Sequence, residues 1–372
     1  MSRHLKTVIF SLIVVTGLTL VYIGGYKIFG SHGKSNSEMN NPSTEDTRPP
    51  KSGLKETVPK PPVQIDYAKV KPNESGKVMV VMFHNFVQSF APKKYDKGEY
   101  TTTFDEFRKL LQTLYDKGYR SVSFKDYLDN NISVPAGCIP IVFTFDDGTP
   151  GQFNLTGENG KLVANKDSAV GIMEEFNKRH PDFGLNGTFY INLGDNTFTG
   201  EGTVAERLKY LINKGFEIGN HTYNHVNLKT DVKTVEQIEK QIGENQKKMN
   251  ELVPGYKMNT FSLPFGAPSE NLQRYVVKGS FEGVGYQHQA VVEVGWDPAQ
   301  SPVSTKFNPL STHRVRASGI KPVQADLAWW LDNLSRDTQY VSDGDPGTVV
   351  VPKDKEGNVD TKKLNGKKLI TY

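Results

Sequence analysis

From Val78 onward the chain alternates short apolar runs with longer stretches in which apolar residues recur every three or four positions. Short apolar, β-branched runs predict buried strands, and the longer spacing predicts helices that pack by one face. Strands are expected at Val78–Phe83, Ser121–Phe124, Ile139–Phe145, Gly187–Ile191, Phe216–Gly219, Thr260–Leu263, Val284–Tyr286, Ala290–Val294 and Thr312–Val315. Helices are expected at Ser168–Lys178, Val204–Asn213, Val235–Leu252 and Val323–Leu334. A further helix should open at Thr103, where Glu106 completes a capping box, and show the face Phe104, Phe107, Leu110, Leu111, Leu114 before stopping at Gly118. Repeated strand–helix units imply an α/β fold built on a parallel sheet or barrel. The pattern alone leaves an open and a closed sheet both in play.

The N-terminal texture is different. Thr7 to Tyr26 runs for 20 residues without a charge, and at about 1.5 Å per residue it spans a hydrocarbon core of roughly 30 Å. Arg3, His4 and Lys6 before it orient residues 1–6 to the cytoplasm. The expected organisation is a transmembrane anchor over 7–29, a disordered linker over 30–76, a catalytic domain over 77–345 and a C-terminal tail over 346–372. The linker is rich in Ser, Asn, Pro, Lys and Glu and poor in large apolar residues, so it cannot bury a core. The tail is polar and Lys-rich and carries no readable motif. A single-pass membrane protein with an extracytoplasmic domain is expected; the alternative is secretion after cleavage of a signal peptide.

Composition narrows the chemistry. The 372 residues carry a net charge of +4 and no Arg-rich stripe, so no nucleic-acid partner is expected. Cys138 is the only cysteine, which excludes an internal disulfide and a cysteine-based zinc site. A monomer is expected.

Two stretches carry candidate chemistry. Asp146 and Asp147 end the apolar run Ile139–Phe145 and are followed by the turn signal Gly148-Thr149-Pro150. Neighbouring strand residues face opposite ways, so the two carboxylates share a site only if the chain turns there. His221 and His225 follow the short run Phe216–Gly219; residues four apart share one face if a helical turn begins there. Two carboxylates and two imidazoles at strand ends make a three-ligand metal site with one carboxylate left as a base.

These motifs, Phe143-Thr144-Phe145-Asp146-Asp147-Gly148 and His221-Thr222-Tyr223-Asn224-His225, resemble the first two motifs of the polysaccharide deacetylases, the family-4 carbohydrate esterases with the NodB homology domain. Phe261-Ser262-Leu263-Pro264-Phe265-Gly266 resembles the third, R-x-P-Y-G, with two changes. The resemblance spans roughly residues 77–345. It implies a distorted (β/α) barrel of about seven strands. It implies Asp146 as general base, and Asp147, His221 and His225 as ligands of a divalent metal, Zn2+ with Co2+ or Ni2+ as alternatives. It also implies the Phe265 backbone N–H, after Pro264, as oxyanion donor, and Trp296 as a wall of the acetyl pocket.

The leaving amine needs a general acid. His84 ends the strand Val78–Phe83 and looks like the acid-bearing first strand of circularly permuted family members, such as the biofilm poly-N-acetylglucosamine deacetylases. His313 lies where the unpermuted motif would fall. The family's motif-three arginine is Ser262 here, and Arg314 or Arg316 on a late strand would substitute for it. Residues 149–166 form a Gly/Asn/Thr-rich segment, read either as a loop shaping access or as a surface insertion. The expected activity is metal-dependent removal of acetyl groups from N-acetylated cell-wall or extracellular polysaccharide, with peptidoglycan-type N-acetylglucosamine favoured. The alternative is a non-catalytic glycan-binding protein on a degenerate deacetylase scaffold.

Overall fold

The computed structural model describes residues 65–372, save 93–95, 195–196, 267, 269, 296 and 318–324. The expected anchor over 7–29 and the linker as far as residue 64 lie outside the described residues. Among the described residues no helix is long and apolar enough to cross a membrane.

Eight strands form one parallel sheet. They are β1 (Met79–Phe83), β2 (Tyr119–Ser121), β3 (Ile139–Asp146), β4 (Thr188–Ile191), β5 (Glu217–Asn220), β6 (Thr260–Ser262), β7 (Ala290–Val292) and β8 (Val315–Arg316). The spatial order is β7-β6-β5-β4-β3-β1-β8, with β2 lying against the first residues of β3. Thr312 pairs with Val292 at one margin, and three residues later Val315 pairs with Val81 of β1. Segment 312–316 therefore touches both margins of the curled sheet, in keeping with the expected barrel.

Period-two alternation decides which side chains enter the curl. Phe143 and Phe145 of β3 face the helical layer, where they join Phe83, Phe107 and Phe189 in one core. Phe83 and Phe189 stack on Phe145 at 5.3 and 4.6 Å between centroids and lock three strand ends together. Val142 points to the inner side with Val80, Tyr190 and Val292. Thr144 and Asp146 share the inner side by the same rule. Tyr190 fills the interior only because Gly219 faces it; a Cβ there would lie 2.4 Å from the ring.

Helices α1 (Phe104–Asp116), α2 (Ala169–Arg179), α3 (Val204–Asn213) and α4 (Val235–Leu252) cover the outside. The capping box at Thr103 and Glu106 is formed, and equivalents open α3 and α4. Several expectations shift. The strand expected at Ser121–Phe124 ends at Ser121, because the Ser123 side chain caps a helix over Phe124–Leu128. Val284–Gln287 pairs antiparallel with Lys278–Phe281 outside the main sheet and packs on α4. The last helix covers Leu327–Asn333, capped by Asp326.

Both flanks of the expected catalytic domain are corrected. Residues 66–76, read as linker, hold a helix over Tyr67–Val70 and the buried side chains of Asn73 and Glu74. Polar bonding rather than apolar burial orders them: Asn73 pairs with Val341, and the Val350 amide donates to Glu74 at 2.9 Å. The tail over 346–372 is folded too. Thr348–Val351 runs parallel to Lys368–Thr371, and Val349 and Val351 join Val303 and Val359 in a small apolar cluster. Val349, Val350 and Val351 are the buried residues of this strand within an otherwise polar stretch.

Candidate active site

The functional side chains lie at the carboxyl ends of β1, β3, β5 and β6. A cleft of about 500 Å³ opens there, lined by His84, Asp146, Asp147, His221, His225 and Phe265, with Asn85, Asp96, Tyr100, Leu263, Pro264 and Val294 completing the wall. The two carboxylates share it by the turn the sequence required. Asp147 has φ 80°, which breaks the alternation and swings its side chain back beside Asp146.

Asp147, His221 and His225 offer ligand atoms that all lie within 4.8 Å of one another. Asp147 Oδ1 is 3.4 Å from His221 Nε2 and 3.3 Å from His225 Nε2. His221 Nδ1 lies 2.8 Å from the Ser262 carbonyl oxygen. A carbonyl only accepts, so Nδ1 carries the proton and Nε2 keeps a lone pair toward Asp147. Asp147 Oδ1 is buried and lacks a hydrogen-bond partner among the described residues. An unsatisfied carboxylate oxygen facing two imidazole nitrogens fits a divalent cation. The pair does not converge through a helical turn, as the spacing suggested. Residues 221–225 are irregular, and Thr222 and His225 take φ of 66° and 50° to bring both rings inward.

Asp146 sits behind this triad. Arg314 Nη1 and Nη2 donate to its two oxygens, each at 2.7 Å. Ser262 Oγ donates to Asp146 Oδ2 at 3.1 Å and accepts from Arg314 Nη2 at 3.0 Å. The guanidinium is held by Thr144 Oγ1 and the Glu293 carbonyl and is 0% exposed. Burial alone would raise the Asp146 carboxyl; Arg314, His221 and His84 outweigh it and hold the group far below the usual carboxylate range. Arg314 thus brings to Asp146 a guanidinium that Ser262, at the motif-three arginine position, does not supply. Arg316 points elsewhere, over the Tyr100 ring at 5.0 Å.

His84 is brought to the site and His313 is not. His84 Nε2 lies 3.9 Å from Asp146 Oδ2, and its ring meets the edge of Tyr100 at 5.1 Å. Burial pushes its imidazole below the ordinary value, against the pull of Asp146 and Asp147. His313 is 51% exposed and faces Glu293 and Asp297, beside a separate pocket with Tyr127 and Phe307. Alternation explains this: the residue after it, Arg314, takes the inward position. Trp296 lies outside the described residues.

Pro264 and Phe265 line the cleft as expected. Phe265 has φ 55° and is 66% exposed, with its ring 4.6 Å from that of His225. Of residues 149–166, the first turn buttresses the strand ends and the remainder forms an antiparallel hairpin, Leu155–Glu158 with Lys161–Ala164, away from the cleft.

Sequence reasoning missed Asp96, Tyr100 and Val294. Asp96 Oδ1 accepts from the backbone N–H of Gly98 at 2.7 Å and of Glu99 at 2.9 Å, and Oδ2 accepts from the Thr101 hydroxyl. These bonds, against burial, keep its carboxyl below the ordinary value and curl the loop that presents Tyr100 to His84. The Asp-x-Gly turn signal was visible, but its place over the site was not.

Residues 133–283 match the family model for polysaccharide deacetylase. The resemblance read from the three motifs is supported, since this segment holds Asp146, Asp147, His221, His225 and Ser262–Phe265. His84 and Arg314 fall outside it. Among solved structures, the Streptococcus pyogenes deacetylase PplD in complex with acetate is similar at 15% identity, covering 70% of this chain and 98% of that one, with a TM-score of 0.50. A polysaccharide deacetylase from Bacillus cereus shows 15% identity, coverage of 70% and 69%, and a TM-score of 0.49. IcaB from Ammonifex degensii shows 18% identity, coverage of 65% and 92%, and a TM-score of 0.45. The likeness to PplD shows a shared fold. No curated protein matches the chain.

Proposed function

We propose that the protein hydrolyses acetyl groups from N-acetylated sugars of a cell-wall or extracellular polysaccharide, with a divalent metal held by Asp147, His221 and His225. The observation that carries this reading is the meeting of that triad with an arginine-clamped Asp146 in one cleft. A divalent ion there would polarise the acetyl carbonyl and lower the pKa of a water. Asp146, ionised across the working range, takes the proton of the attacking water, and Arg314 sets the direction in which its oxygens point. The backbone N–H of Phe265, a residue that lines the cleft, is the donor to the developing oxyanion. His84 delivers a proton to the departing nitrogen. Acetate and a free amine result.

Peptidoglycan-type N-acetylglucosamine is the favoured substrate, because an enzyme tethered by residues 7–29 and facing outward meets the wall first. Zn2+ is the favoured metal. The alternative of a glycan-binding scaffold rested on the missing motif-three arginine, and Arg314 supplies that charge. The decisive experiment is an acetate assay on N-acetylglucosamine oligomers and intact walls. Release that is lost with chelator and with Asp146→Asn is expected; a metal-loaded protein that frees no acetate from any N-acetylated glycan would defeat the reading.

A further inference from the structure

The turn after the Asp146-Asp147 pair contains a side chain that no motif assigns. Gln152 is completely buried. Its Nε2 donates to the His84 carbonyl at 2.7 Å and also to the Asp146 carbonyl. These carbonyls end adjacent parallel strands, since Phe83 of β1 stands opposite Phe145 of β3. One amide therefore ties together the backbone of the proposed acid and that of the base. Thr149 Oγ1 adds a weaker bond to the same His84 carbonyl at 3.3 Å.

The tie is rigid. The Gln152 N–H donates to Thr149 O at 3.0 Å, and its own carbonyl accepts from Val170 N at 3.1 Å as α2 begins. The segment also presses on the strand that follows His84. At Gly151 a Cβ would fall 2.0 Å from the Phe86 carbonyl oxygen, so only glycine allows the approach. By contrast, His84 Nδ1 is buried with no hydrogen-bond partner among the described residues. Among the described residues no hydrogen bond orients this imidazole, which leaves its position to its backbone, to the edge of Tyr100 and to the 3.9 Å approach of Nε2 to Asp146 Oδ2. The charged and titratable groups acting on it are Asp146, Asp147, Arg314 and His221.

We infer that Gln152 is a positioning residue for the reaction: it fixes the separation of His84 from Asp146 by bonding both strand-end carbonyls. The inference rests on the deacetylase reading and adds a residue to it. A side chain placed here has leverage, because a misplacement of about 1 Å at a reacting group costs on the order of 100-fold in rate.

Gln152→Met keeps length and volume and removes both N–H donors. In the metal-loaded protein, kcat is expected to fall about 10- to 100-fold, with KM within about twofold and bound metal unchanged, since no triad residue is touched. Released from its buried seat, the imidazole should titrate closer to its ordinary value, so the alkaline limb of the kcat profile should move to higher pH. Gln152→Glu gives a second, graded readout. Its carboxylic acid can donate one O–H to one carbonyl, whereas its carboxylate repels both, so its activity relative to wild type should recover as pH falls. Wild-type kcat and an unmoved limb in Gln152→Met would overturn the inference. If that variant fails to fold, a Gln152→Glu activity ratio that stays constant with pH would do so. If the wild type releases no acetate, the functional reading is lost. The His84 titration, followed by NMR in wild type and Gln152→Met, then still decides the positioning claim: a shift upholds it, and identical curves end it.

Discussion

Arg314 and Asp146 form a two-pronged, fully buried ion pair, with Nη1 on Oδ1 and Nη2 on Oδ2 at 2.7 Å. The pair joins the last segment of the sheet to the strand that carries the proposed base, across a separation of 168 residues. Ser262 lies between them and binds both partners.

Removing the guanidinium strands a buried carboxylate. Arg314→Ala should destabilise the fold by roughly 3–5 kcal/mol and raise the Asp146 pKa, moving the acid limb of the activity profile to higher pH. Ser262→Arg combined with Arg314→Ser returns the charge from β6, whose Ser262 already binds Asp146, and should recover part of both losses. Denaturant titration and pH–rate profiles check this; an Arg314→Ala protein with unchanged stability and profile would remove Arg314 from the site.

The two histidine candidates should separate cleanly. His84→Ala is expected to lower kcat by about 100- to 10,000-fold while leaving metal content intact. His313→Ala should change turnover by less than about twofold, because its ring faces Glu293 and Asp297 and not the cleft. Steady-state kinetics with measured metal stoichiometry tests both; the reverse ranking would reassign the acid.

Metal removal should be visible without any substrate. A ligand that binds only the folded state stabilises it by about 2.7 kcal/mol at 100-fold excess over Kd. Thermal melts should rise with added Zn2+, Co2+ or Ni2+ and fall with chelator. Asp147→Ala and His225→Ala should abolish the response. A melting temperature indifferent to all three ions would dissolve the proposed ligand set.

A second buried carboxyl lies far from the cleft. Burial first, and then the neighbouring Asp343, push Glu74 from 4.5 up to about 8. The folded state therefore holds a proton that the unfolded chain has already released. The stability this supplies is complete below pH 4.5 and disappears as pH rises through about 8. Glu74→Gln removes that dependence, so its stability relative to wild type should climb across the window and level off above it. Melts at spaced pH values test this, and parallel curves would refute it.

The proposed metal triad and its proposed base were legible because adjacent carboxylates after an apolar run, and paired histidines after another, are local patterns. Arg314 was legible only as a candidate among late-strand arginines, since its reach to Asp146 depends on how the sheet curls. The loops at Thr222, His225 and Phe265 were not legible, as left-handed backbone at non-glycine residues leaves no mark in composition. The folded flanks were misread for the opposite reason. Asn73 and Glu74 are ordered by hydrogen bonds to residues more than 260 positions away, and a window of sequence sees only their polarity.

Segment 312–316 has a consequence for the order of synthesis. A chain emerging from its N-terminus would expose Asp146, Asp147, His221 and His225 long before residue 314 exists. Until that last stretch slots between Val292 and Val81, the aspartate lacks the guanidinium that grips both of its oxygens. On the proposed reading, hydrolytic competence is thereby tied to completion of the fold, and an unfinished molecule carries every proposed ligand yet lacks a trained base.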